Sequence, residues 1–225
     1  MKWFTAILAN GDFPRKGGRA WQLLAAAARV VACDGAAEKF KRRFGRKADC
    51  VIGDFDSVSA RRLSRLANEV VRVPEQDTND LTKAINWCRR RGWLDLVVLG
   101  AAGRREDHAL GNVFRAMEAG IEMVSDYGRF VPFKYVKGSY AFKAKIGKGK
   151  AISVFACDQD TRMKSRGLEW PLDEVQFKNL YCATLNRSSA ASVKIVSSRP
   201  AFVYLAADAI DERASGVVSY AAFTW

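Results

Sequence analysis

VIGDFDS (residues 51–57) sets an apolar, β-like step directly before a glycine and two carboxylates, Asp54 and Asp56. Further on, EQDTNDLTKA (residues 75–84) follows another short β-like run, residues 70–73, and supplies Asp77, Asp80 and Lys83. In an α/β sheet the carboxyl ends of the strands form the ligand crevice. Four carboxylates at two such ends make a hard, oxygen-rich pocket that suits Mg²⁺ better than Zn²⁺. Each piece also has a purely local reading. Asp54 and Asp56 are able to bond their own backbone and turn the chain. Asp80 fits the first turn of a helix, with Lys83 as its i,i+3 partner. These local readings explain each piece alone, but not why both crowd the same kind of strand end.

Outward from this stretch, strands and helices alternate. Residues 3–9, 29–33, 49–52, 70–73, 94–99 and 121–124 are predicted strands; residues 19–28, 36–44, 59–67, 79–91 and 106–119 are predicted helices. In the fourth helix Leu81, Ile85 and Cys88 share a face, and in the fifth Leu110, Val113, Phe114 and Met117 are expected to be buried. Strands alternating with helices imply βαβ units and a mostly parallel sheet. After Ser125 the pattern changes to short alternating runs between turns: residues 129–136, 139–146, 151–155, 192–196 and 202–205. KGSY, GKGK and SSRP read as turns, and this half reads as antiparallel β, a sandwich or barrel. The boundary is expected near residues 126–137. The last stretch, residues 207–225, is polar and then apolar enough to dock as a final strand.

The composition is that of an ordinary globular chain: 225 residues, 49% hydrophobic and 27% charged. No apolar run approaches the roughly 20 residues that span a bilayer. MKWFTAILANGDFP reads as a first strand and its turn, not as a secretory segment. Five scattered cysteines without a CxxC spacing argue against a disulfide framework or zinc, and for a reducing cytoplasm; each is expected to be buried. The net charge of +13 suits either nucleic acid or phosphate-rich small substrates. KFKRRFGRK (residues 39–47) is the densest basic run and reads as a solvated face, which makes nucleic acid an unlikely partner.

Three more turns follow predicted strands. Asn10-Gly11-Asp12 ends the first. Asp34-Gly35 ends the second, where Asp34 is either a helix N-cap or part of a phosphate cradle on exposed N–H groups. GAAGRREDH (residues 100–108) ends the fifth. Its glycines, Gly100 and Gly103, allow close backbone approach, and Arg104 and Arg105 are able to fork phosphate oxygens. Asp107 and His108 start the next helix. His108 is the only histidine, which excludes a histidine-rich metal site and leaves it a positioning role. Carboxylates for metal with Gly and Arg for polyphosphate are what phosphoryl-group transfer needs.

The order NGxxP, DGA, GDFDS, QDxxDxTK, GxxGRxxDH with Asn112, and then SxGLxWPL in the β-rich half resembles the thiamin pyrophosphokinase family over nearly the whole chain. The resemblance implies an α/β nucleotide-binding catalytic domain (residues 1–130) and a β-sandwich thiamin-binding domain (residues 131–225), with ATP and thiamine as substrates. It also implies a homodimer and Mg²⁺ held by Asp54, Asp56 and Asp77. Asp56, Asp77, Lys83 and Arg105 would be catalytic. Asn10, Gly11, Asp34, Gly35, Gly103, Arg105 and Asp107 would bind nucleotide. Asp80, Ser165, Gly167, Leu168, Trp170 and Asn186 would serve thiamine. The family's Thr-Ser-Asn stands here as Thr184-Leu185-Asn186, so the serine hydroxyl is missing. Three other readings stay open: a diphosphokinase of the same fold acting on a hydroxymethyl pterin, a phosphohydrolase using the DxD pair, and a basic nucleotide- or nucleic-acid-binding module.

Overall fold

The computed structural model describes residues 3–55, 60–75 and 77–207, and the chain divides into two units, Met1–Asp126 and Tyr127–Trp225. In the first, strands β1 (Thr5–Leu8), β2 (Arg29–Cys33), β3 (Ala48–Gly53), β4 (Ala67–Arg72), β5 (Leu96–Leu99) and β6 (Glu122–Val124) alternate with helices α1 (Arg19–Ala26), α2 (Ala36–Phe44), α3 (Ala60–Leu66), α4 (Asp80–Arg90) and α5 (Glu106–Glu118). The strands pair in parallel in the order β6-β5-β1-β2-β3-β4. Their apolar residues are covered by the helices: one buried cluster contains Leu8, Leu24, Val30, Phe40 and Val51, and Ile7, Val31, Ile52, Leu81 and Ile85 are buried as well.

Local chemistry explains the helix ends. Gly45, at φ 68°, closes α2 and donates its N–H to the Lys41 carbonyl at 2.9 Å, an αL C-cap that favours glycine. Asn79 caps α4, its Oδ1 accepting from the Thr82 N–H at 2.9 Å. Leu81, Ala84, Ile85 and Cys88 then form the buried stripe.

The second unit is an antiparallel sandwich. Its strands are β7 (Gly128–Pro132), β8 (Lys134–Val136), β9 (Ser139–Lys145), β10 (Ala151–Ala156), β11 (Met163–Arg166), β12 (Ala183–Arg187), β13 (Ser192–Ser197) and β14 (Ala201–Ala206). They form two four-stranded sheets, ordered β12-β10-β14-β7 and β11-β13-β9-β8. Inward residues of both sheets, among them Val131, Phe142, Val154, Ile195 and Val203, share one core. The Lys137-Gly138 turn joins β8 to β9 with both residues at positive φ, the geometry of a type I′ hairpin.

Several expectations are corrected. The run over residues 129–136 is two strands: at buried Phe133 the chain leaves one sheet for the other. β11 and β12 were not foreseen, because MKSR and ATLNR lack apolar alternation and owe their strand geometry to pairing with β13 and β10. On α5, Leu110 and Phe114 are 58% and 50% exposed, and Ala116 joins Val113 and Met117 on the buried face. The stripe is rotated from the predicted one because its small residue, not its large ones, meets the sheet. Cys33, Cys50 and Cys88 are buried as expected, whereas Cys157 and Cys182 are exposed. Residues 208–225 lie outside the described residues. Among those described, no helix is long and apolar enough to cross a membrane.

Candidate active site

The strand order decides where the site lies. The chain runs outward from β1 through β2 and β3 to β4, then returns to place β5 on the other side of β1. That reversal is a topological switch point, where open α/β sheets bind ligands. The turns after β5, β1, β2, β3 and β4 therefore follow one another along a single sheet edge.

At the switch point two turns are joined backbone to backbone. The Gly11 N–H donates to the Gly100 carbonyl and the Asp12 N–H to the Ala102 carbonyl, both at 2.8 Å. A Cβ on Gly11 would overlap both of those carbonyl oxygens, and one on Gly103 (φ 77°) would overlap the Asp12 carboxylate. A Cβ on Gly35 would press on Asn10 Nδ2 at 3.0 Å, which brings the second turn against the first. Among the described residues Asn10 Oδ1 is buried without a hydrogen-bond partner, an acceptor left open at this edge.

Two cations converge on the same turn. Lys39 Nζ donates to the Gly11 carbonyl at 3.0 Å, and Arg104 Nη1 donates to the Asn10 carbonyl at 3.2 Å. Partial burial, then the nearby Arg104, lowers the Lys39 pKa, with Asp12 acting against them. Lys39, expected on a solvated face, is half-buried against this turn. The available signal was its place one residue before Phe40, a short reach from the Asp34-Gly35 turn.

The carboxylates crowd the other end of this edge. Asp34 follows β2, Asp54 follows β3, Glu75 follows β4 and Asp80 opens α4. Burial raises the Asp80 pKa most. Asp34, Asp54 and Glu75 add to that rise, while Lys83 opposes it. Lys83 is buried, with Nζ 3.8 Å from Asp80 Oδ1 and donating to the Val73 carbonyl at 3.2 Å. Glu75 was not among the expected site residues. It accepts from the Thr78 N–H and hydroxyl at 3.1 and 2.6 Å, and the hydroxyl bond holds its pKa below the ordinary value. Asp34 is not an N-cap: Gly35 holds that position, and Asp34 sits at φ 43°. Phe55 and Arg104 also have positive φ, so three of these strand ends carry a left-handed non-glycine residue, a kind of backbone strain that gathers at functional sites.

Oxygen donors that repel one another fit a hard divalent cation. Asp77 is exposed in the turn before α4. Asp56 lies outside the described residues. Among those described, no three acidic, His or Cys side chains stand close enough to enclose an ion. At the start of α5, Arg105 makes a two-pronged contact with Asp107 (Nε to Oδ1 3.1 Å, Nη2 to Oδ2 2.6 Å), which lowers the Asp107 pKa. Both are exposed, as is His108. Asn112, further along α5, donates to the Ala101 carbonyl at 3.1 Å.

In the second unit a cleft of about 280 Å³ is lined by Trp170, Leu172, Val175, Thr184, Leu185 and neighbouring residues. Ser165 and Gly167 shape the segment leading to it. Ser165 Oγ accepts from the Leu172 N–H at 2.9 Å, and Gly167 adopts φ 82° against the Ser192 carbonyl. Leu168 is buried. Asn186 is buried as well, with its amide on the Trp170 backbone. Ser188 is a structural residue, its Oγ donating to the Gly147 carbonyl at 2.6 Å.

Comparison with known proteins gives the family and the fold. Residues 20–124 match the family model "thiamin pyrophosphokinase, catalytic domain". Residues 128–204 match "thiamin pyrophosphokinase, substrate-binding domain". Thiamin pyrophosphokinase 1 of Caenorhabditis elegans is 32% identical over 117 residues, 48% of each chain, so the match spans about half of that relative. A thiamin pyrophosphokinase family protein from Enterococcus faecalis has the same fold at TM-score 0.70 and 16% identity, over 90% of this chain and 98% of its own. The thiamin pyrophosphokinase from Candida albicans does so at 0.69 and 17%, over 90% and 89%. With two family models side by side over most of its length, this chain belongs to the thiamin pyrophosphokinase family.

Proposed function

We propose that this protein transfers the diphosphate of ATP to the hydroxyl of thiamine, giving thiamine diphosphate and AMP, with Mg²⁺ as the metal. One observation supports the reading beyond family membership: Asp34, Asp54, Glu75 and Asp80 stand at neighbouring strand ends along one sheet edge, beside turns joined backbone to backbone at the switch point. The match of residues 128–204 to a thiamin pyrophosphokinase substrate-binding domain favours thiamine over a pterin acceptor.

In this mechanism the thiamine oxygen forms a bond to the β-phosphorus, the bond from that phosphorus to the AMP oxygen breaks, and the hydroxyl proton leaves to water or an aspartate. Asp54, Asp56 and Asp77 would hold the metal, which when bound neutralises phosphate charge and improves AMP as a leaving group. Lys83, Lys39, Arg104 and Arg105 stabilise the polyphosphate charge. Asn10, Gly11, Asp34, Gly35, Gly103 and Asp107 serve the nucleotide. No residue qualifies clearly as a general base, and positioning supplies the acceleration.

A homodimer is part of this proposal; the apolar pair Leu110 and Phe114 on α5 supports it, and light scattering tests it. Five free thiols favour the reducing cytoplasm.

The deciding assay follows AMP and thiamine diphosphate formed from ATP, with and without thiamine and Mg²⁺. AMP should appear only with both, and Asp56→Asn or Asp77→Asn should abolish it with the fold intact. AMP release indifferent to thiamine, or wild-type rates in both variants, would remove the assignment.

A further inference from the structure

Beside the cleft of the second unit, residues 167–170 run antiparallel to residues 186–189. The Ser189 N–H donates to the Gly167 carbonyl at 2.9 Å, Leu168 and Ser188 form an isolated bridge, and the Glu169 N–H donates to the Arg187 carbonyl at 2.8 Å. Main-chain pairing then stops. β12 carries a register shift against β10 at this point. Leu185 turns to φ 60°, and its N–H is taken by Ser153 Oγ at 3.2 Å.

The side chain of Asn186 continues the pairing that the backbone abandons. Its Oδ1 accepts from the Trp170 N–H at 3.3 Å and its Nδ2 donates to the Trp170 carbonyl at 2.7 Å, so the carboxamide stands in for a peptide group. Oδ1 also accepts from the Arg187 N–H at 2.8 Å. Three of the four hydrogen bonds open to an amide are thereby spent, in a residue that is 5% exposed. Little is left for a ligand. The side chains on either side are different: Trp170 is 55% exposed and Leu185 87%, and both line the cleft.

We propose that Asn186 is a positioning residue that fixes the Trp170 backbone so that the indole forms a ready wall for the acceptor's ring, without touching the acceptor itself. This rests on the reading that thiamine enters this cleft. An exposed indole face recognises a flat or cationic heteroaromatic ring, and holding it in place beforehand removes an ordering cost from binding. The bulge that turns Leu185 outward supplies the second apolar surface.

The test uses the full chain with Asn186→Asp, Asn186→Ser, Trp170→Ala and the Asn186→Asp/Trp170→Ala double variant. Asp keeps the accepting oxygens but loses the Nδ2 donor and sets negative charge against the Trp170 carbonyl; Ser keeps neither reach nor donor. Either Asn186 variant should raise KM for thiamine about tenfold or more while kcat and KM for ATP stay within about twofold. The double variant should be no worse than Trp170→Ala, because Asn186 acts through Trp170. Thiamine binding should quench indole emission that is absent from Trp170→Phe, and the Asn186 variants should weaken that quench. Penalties that multiply in the double variant, or wild-type thiamine KM in Asn186→Ser, would overturn the proposal. A Trp170→Ala protein with wild-type thiamine KM would instead show that the acceptor binds elsewhere, and the underlying reading would fail on its own. If Asn186→Asp does not fold, the Ser variant and the quenching measurement still decide.

Discussion

Lys83 and Asp80 stand one turn apart on α4, Nζ to Oδ1 3.8 Å, and the same Nζ reaches the Val73 carbonyl at 3.2 Å. The Val73 N–H in turn donates to the Gly53 carbonyl at 2.9 Å. One buried ammonium thus ties the ends of β3 and β4 to the start of α4. Lys83→Met keeps the volume but strips a donor from Val73 and a cation from Asp80, at a cost of about 1–3 kcal/mol. Urea unfolding should show that loss, and AMP formation should fall by about 100-fold or more. Lys83→Arg should not rescue, because a forked guanidinium does not fit a buried point-charge site. A stable Lys83→Met protein with full turnover would remove its charge from the mechanism.

Asp80 gives a pH signature. Burial, reinforced by Asp34, Asp54 and Glu75 against Lys83, raises its pKa above the ordinary 3.8. The folded state therefore binds this proton more tightly than the unfolded state. Its stabilising contribution is present below the unfolded value and is lost as pH rises through the folded one. Asp80→Asn should melt above wild type at neutral pH without divalent cations, and the two should converge as pH falls toward about 4. Melting below wild type at neutral pH would mean that the Lys83 pair outweighs burial.

Gly11 and Gly103 face different obstacles, and that sets the order of damage. A Cβ on Gly11 meets the carbonyls of Gly100 and Ala102, whereas one on Gly103 meets the free end of the Asp12 side chain. A side chain is able to swing away; two joined backbones are not. Gly11→Ala should cost about 1–3 kcal/mol and raise KM for ATP more than KM for thiamine. Gly103→Ala should cost about 1–2 kcal/mol, mainly from its positive φ. Thermal melts and initial rates would reveal the reverse order if it held.

Arg105 and Asp107 form an exposed pair, Nη2 to Oδ2 2.6 Å. Exposed pairs add little stability, so neither variant should shift the melting midpoint much. If the carboxylate orients the guanidinium toward polyphosphate, Arg105→Ala and Asp107→Ala should lower AMP formation by similar factors of about ten or more. The double variant should then match the worse single one. Full activity in Asp107→Ala would assign the pair to the surface alone.

Much of this was legible in the chain because it is local. Strand–helix alternation, the turns that end the strands and the Leu81/Ile85/Cys88 stripe depend on residues a few positions apart, and each appears in the structure. The motif order pointed to the family for the same reason: loops that carry chemistry sit at strand ends whatever the rest does. Strand order was not local. Placing β5 beside β1 makes Asn10 and Arg104 neighbours although 94 residues separate them, and pairing β1 with β2 brings Lys39 onto the Gly11 carbonyl. Which face of α5 is buried, where Glu75 stands along the sheet edge and which backbone groups the Asn186 amide bonds likewise follow from long-range packing. The physical reason is common to all of them: sequence period determines which residues share a face, while only the folded arrangement determines what that face meets.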